Sequence, residues 1–157
     1  MKPSIGISEK HIEKSIQILS KIISNETVLY VKTRKAHWNI SGESFMELHE
    51  LFGKQYAITE KSIDILAERI SKIGGKTIGT MNEFLENSDI QENPGKYPDK
   101  SELLMELIND HETIIKQIRK EIQEFDEKAK DVVSIDLLIK LLDEHETTAW
   151  TMRRYFK

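Results

Sequence analysis

The sequence predicts an all-α fold, a four-helix bundle whose two halves are joined by one long crossover. Three observations carry that reading. Apolar residues recur every three or four positions along four long stretches. Only 7 Gly and 3 Pro occur among 157 residues, too few for the turns of an all-β chain. The irregular segments between the stretches are two short and one long. The length fits one domain over 1–157 and can bury a core without disulfides or metal staples.

The first helix carries Ile12, Ile16, Leu19, Ile23, Tyr30, Thr33 and His37 at helical spacing, with one gap that holds Glu26. It ends near Asn39, where Ser41 and Gly42 predict a turn and a new cap. The second helix runs over about 43–73, with Phe45, Leu48, Phe52, Tyr56, Ile63, Leu66 and Ile70 on its stripe, and Gly74-Gly75 stop it. Within the irregular stretch 74–99, Thr80-Met81-Asn82-Glu83 predicts a capping box opening one short helix. Asp99, three residues before Glu102, caps the third long helix, whose stripe is Leu104, Ile108, His111, Ile115, Ile118, Ile122 and Phe125. Residues 126–131 read as a charged connection. The fourth helix carries Leu138, Leu141, Leu142, His145, Ala149, Met152 and Phe156. Short links make antiparallel hairpins, and about 26 residues suffice for the crossover, which is the ferritin-like arrangement of such a bundle.

Several function classes fall away on composition. Cysteine is absent, so thiolate metal sites and a Cys nucleophile are excluded. The longest apolar run covers only 28–31, far short of a membrane span. The N-terminal residues show no apolar signal region, so a cytoplasmic protein is expected. A net charge of −4 argues against general attraction to nucleic acid.

Five histidines and 27 acidic residues raise the question of metal. The Glu-x-x-His signature of an in-bundle di-iron centre is missing, as is His-Glu-x-x-His. The remaining candidate cluster is His37, His49, Asp64 and Glu68, a ligand set suited to iron and other first-row divalent metals. Asp64 and Glu68 leave one helix face together. His49 and Asp64 lie on one helix about 22 Å apart along its axis, so they cannot share an ion within one chain. Two copies of this helix crossing antiparallel about a two-fold axis would join the histidine end of one to the carboxylate end of the other. His111 and His145, on apolar stripes, read as satisfied core histidines. Trp38 beside His37 reads as a large interface anchor, and an indole next to a redox metal can also supply an electron.

The run His37-Trp38-Asn39-Ile40-Ser41-Gly42-Glu43-Ser44-Phe45-Met46-Glu47-Leu48-His49-Glu50 closely resembles the signature of the Dps family of miniferritins (DNA-binding protein from starved cells). Asp64-Ile65-Leu66-Ala67-Glu68-Arg69-Ile70 with Gly74-Gly75, and Asp143-Glu144-His145-Glu146-Thr147-Thr148-Ala149-Trp150, are similar to its later segments. The resemblance implies iron bound between two subunits by His37, His49, Asp64 and Glu68, with Trp38 quenching radicals. It implies ferroxidase activity with hydrogen peroxide, or more slowly oxygen, and storage of ferric iron in a hollow shell of twelve subunits. It also places carboxylate-lined three-fold pores near Glu127, Asp131 and Asp136. One departure stands out: many members carry Asp four residues after the second histidine, where this chain has Gly53. Glu50 or a water is left for that place. The rival readings are a DNA-condensing protein with minor iron oxidation, and a shell or adhesin without metal chemistry. The intact four-ligand set argues against the last. The few lysines near the N-terminus, Lys2 and Lys10, argue against a basic DNA-binding arm.

Overall fold

The computed structural model describes residues 3–128 and 131–156, the side chains at 124 and 126–128 apart. Five helices follow in order: α1 (Glu9–Asn39), α2 (Phe45–Lys72), α3 (Met81–Asn87), α4 (Lys100–Lys128) and α5 (Val132–Arg153). No strand occurs among the described residues. α1 packs along α2 and α4 along α5, so the long helices form two hairpins. α3 lies in the crossover and rests on α1. This is the all-α, ferritin-like bundle that the periodicity predicts. No helix among the described residues is long and apolar enough to cross a membrane.

Local chemistry sets the helix ends. The Ser8 side chain accepts the His11 amide at the start of α1. α2 stops in a Schellman turn: the Gly75 amide donates to the Ile70 carbonyl and the Gly74 amide to that of Ser71. Gly74 takes φ +91° there, a conformation that disfavours any Cβ. The predicted box at α3 forms, with Thr80 and Glu83 each accepting the other's backbone amide. Asp99 caps α4 through the Glu102 amide at 2.9 Å.

Three expectations need correction. The cap expected at Ser41 falls at Ser44 instead, which adopts left-handed backbone and makes no side-chain capping bond. The charged run at 126–128 continues α4 as helix, since charged residues do not end a helix without a Gly or Pro. On α4 it is Ile114, not the expected Ile115, that is fully buried at that turn, and Ile115 sits at the edge of the buried face. The core includes Leu19, Ile22, Phe52, Leu104, Ile118 and Phe125. Buried Asn25 ties the crossover to it, accepting the Ser88 hydroxyl and the Asp89 amide.

Candidate metal centre

His37 lies in the last turn of α1 and His49 near the first turn of α2. The tight hairpin between them stacks the two imidazoles, with centroids 3.7 Å apart and planes 22° from parallel. Each ring donates from Nδ1 to the other residue's backbone carbonyl, at 2.7 Å from His37 and 2.9 Å from His49. The His37 carbonyl belongs to the last turn of α1, which has no intrahelical donor, so His49 fills a helix-end vacancy. A carbonyl only accepts, so both Nδ1 atoms carry hydrogen. In the neutral rings the lone pair then sits on Nε2, the atom left to bind a metal.

The surroundings hold these rings in place. Tyr56 meets His37 edge-on at 5.3 Å, and Phe45 tilts against His49 at 5.2 Å. The Arg34 guanidinium lies over Tyr30, Trp38 and Tyr56 at 5.4, 5.1 and 5.2 Å and donates to the Tyr30 hydroxyl at 2.6 Å. Trp38 is 64% exposed. At Gly53 a Cβ would come 3.4 Å from Cε1 of His37, in ordinary contact with that ring.

Asp64 and Glu68 lie one turn apart on exposed α2 surface. They are remote from the rings, about 22 Å further along the axis for Asp64. Lys72 donates to Glu68 at 2.7 Å, and that bond together with the lysine charge lowers the Glu68 pKa from its ordinary value. Asp64 has no hydrogen bond or ion pair among the described residues. The chain thus joins the two histidines and, separately, the two carboxylates, and does not bring the pairs together. Among the described residues no three His, Asp or Glu converge to hold a metal ion.

The pore candidates separate. Asp131 is buried, and its carboxylate caps α5 and receives the Arg69 guanidinium at 2.5 Å. Within the chain that side chain is engaged in capping and an ion pair, and its place in a pore is a proposal. Asp136 is exposed beside Lys140 on α5. The Glu127 side chain lies outside the described residues.

Two groups escaped the reading of the sequence. Tyr30 and Arg34 precede His37 on α1 and Tyr56 follows His49 on α2, but their spacing looks like ordinary stripe and surface. The other group is in the core, where His145 bonds Glu26 as a satisfied histidine should while His111 keeps an unpartnered nitrogen. The polar interruptions of three apolar stripes, Glu26, His111 and His145, were the available signal.

Comparison with known proteins gives one consistent answer. Residues 16–157 match the family model described as a ferritin-like domain. DNA protection during starvation protein 2 of Bacillus anthracis is 36% identical over 141 residues, covering 89% of this chain and 94% of that protein. A low temperature-induced protein of Nostoc is 31% identical over 154 residues, covering 98% and 86%. Among solved structures, DpsC from Streptomyces coelicolor superposes with a TM-score of 0.95 at 25% identity, covering 100% of this chain and 91% of that one. Dps from Staphylococcus aureus gives 0.86 at 31% identity, covering 91% and 95%. With a hairpin that presents two imidazole lone pairs, a carboxylate pair a helix length away and these relatives, the chain belongs to the ferritin-like family as a Dps miniferritin.

Proposed function

We propose that this protein is a ferroxidase and iron store, oxidising Fe(II) with hydrogen peroxide, or more slowly oxygen, at sites shared between two chains. Dps membership carries iron binding and storage and the protection of DNA. The finer reading rests on one observation: two histidines whose Nδ1 atoms bond backbone carbonyls, leaving Nε2 for a metal, meet at one end of α2, and two exposed carboxylates lie about 22 Å further along that helix. An antiparallel two-fold pairing of α2 unites His37 and His49 of one chain with the carboxylate pair of the next, twice per dimer. The imidazoles position Fe(II) without adding charge, and Asp64 and Glu68 offset its charge. Peroxide takes two electrons, one from each of two Fe(II) ions, so it leaves as water or hydroxide instead of hydroxyl radical. Exposed Trp38, next to His37, is placed to give up an electron when a single Fe(II) has reacted. The ferric product then accumulates in the hollow of a shell, twelve subunits by the family resemblance, with Glu127, Asp131 and Asp136 as its candidate entry carboxylates.

Complementation tests the shared site. His37→Ala and Asp64→Ala alone should each assemble and oxidise Fe(II) at least about tenfold more slowly. Co-assembled, the two should regain activity, since both lesions can fall in one site and leave its two-fold mate intact. Absence of any regain, with assembly intact, would count against sharing.

A further inference from the structure

A second polar cluster lies in the middle of the bundle. Glu26 from α1, Gln55 from α2, His111 from α4 and His145 from α5 are 1%, 6%, 4% and 3% exposed. His145 donates from Nε2 to Glu26 Oε1 at 2.7 Å, and the Nδ1 atoms of His145 and His111 lie 2.7 Å apart. One proton fits between those two nitrogens. Placed on His111 Nδ1, it leaves the lone pair of His111 on Nε2. Burial, and then the neighbouring His145, push the His111 pKa well below its ordinary value.

The bonds stop short of satisfying the cluster. Glu26 Oε2, His111 Nε2 and both amide atoms of Gln55 have no partner. These side chains line one small cavity of about 10 Å³, room for a single water-sized particle. Native cores satisfy their buried polar atoms, so an unspent set around one void points to an occupant.

The donor set suits a cation. Glu26 Oε2, an imidazole lone pair and Gln55 Oε1 are three donors around one void, where a water could bond only two of them and accept from Gln55 Nε2. Glu26 is an acidic side chain only 1% exposed, and a cation offsets buried carboxylate charge where a water does not. Glu144, bonded by the Ser62 hydroxyl at 3.3 Å, adds a second negative charge at the exposed rim of the same cavity.

We propose that this cavity is a metal site internal to each chain, taking one first-row divalent cation on Glu26 Oε2, His111 Nε2 and Gln55 Oε1. Mixed oxygen and imidazole donors suit Fe(II), Co(II) or Zn(II) better than Mg²⁺ or Ca²⁺. His145 orients the site, since it fixes the His111 tautomer and holds the other oxygen of Glu26. The site is distinct from the one between chains and stands whether or not that reading holds.

The test uses the assembled full chain with His37→Ala and His49→Ala, which removes both imidazole ligands of the site between chains. Co(II) titration, followed by calorimetry and visible absorption, should leave one equivalent per chain with the spectrum of imidazole-bound cobalt. Adding Glu26→Gln or Gln55→Leu should weaken that equivalent at least tenfold. No residual equivalent, or one indifferent to both substitutions, would overturn the proposal. Core substitutions can disturb folding, so a Co(II)-soaked crystal of the unsubstituted protein gives the second measurement. An anomalous peak between Glu26 and His111 supports the site; a water alone there overturns it.

Discussion

Gly53 governs how much metal the histidine end of the proposed shared site can hold. Its backbone approaches His37 so that a Cβ would sit in ordinary contact with the ring. A side chain fits there, and its absence costs helix stability, about 1 kcal/mol for Gly against Ala in a helix interior. Gly53→Ala should therefore stabilise α2 by about that amount in denaturant unfolding and leave Fe(II) oxidation near the wild-type rate. Gly53→Asp should add a carboxylate beside His37 and tighten the weaker Co(II) binding step by about tenfold in calorimetry. Loss of oxidation in the alanine variant would show that the glycine is needed for the ring's position itself. At this scale the sequence was informative about residue type and silent about bonding. His37 and His49 stood out by spacing, but their mutual Nδ1–carbonyl exchange depends on the angle of the hairpin. Gln55 carried no signal at all, because a lone glutamine on a helix is ordinary until four helices close around it.

Helix ends show where a local pattern suffices and where it fails. The Thr80–Glu83 box and the Gly74-Gly75 stop were legible because their bonds span three to five residues. Asp131 was not. It reads as part of a charged loop, and its role depends on Arg69, 62 residues away, and on Ser134. The Asp131 carboxylate caps α5, accepts the Ser134 hydroxyl at 2.6 Å and neutralises a guanidinium that also donates to that serine. Asp131→Ala should cost about 3 kcal/mol or more, because it removes the cap and strands a largely buried cation. Asp136→Ala, which breaks only an exposed i,i+4 pair with Lys140, should stay within about 0.5 kcal/mol. The comparison is made by chemical unfolding, with iron uptake followed in parallel. An Asp131→Ala protein of unchanged stability but slowed uptake would place that residue in the pore.

At the scale of the whole molecule, charge decides between protecting DNA by iron chemistry and protecting it by coating. The net charge is −4 per chain, so twelve copies, the number the family resemblance implies, would carry about −48. Placement adds to the point, because several exposed cations are engaged locally. Lys54 pairs with Glu50, Lys72 with Glu68, Lys140 with Asp136 and Arg153 with Glu112, while Arg154 lies over the Trp150 ring. Cations held by neighbouring carboxylates give little counterion release, the term that supplies non-specific affinity for DNA and that fades as salt rises. Multiplicity raises avidity only when single contacts are favourable to begin with. Gel-shift titration at about 150 mM salt and neutral pH should therefore show weak or no retardation in the absence of divalent metal. Added metal could bridge carboxylates to phosphates, so the metal-free arm is the decisive one. Tight retardation there would overturn the expectation and favour a DNA-condensing role. Plasmid shielded from Fe(II) and peroxide under the same conditions, without retardation and only while His37 and Asp64 are intact, is the result expected if protection comes from removing the reactants.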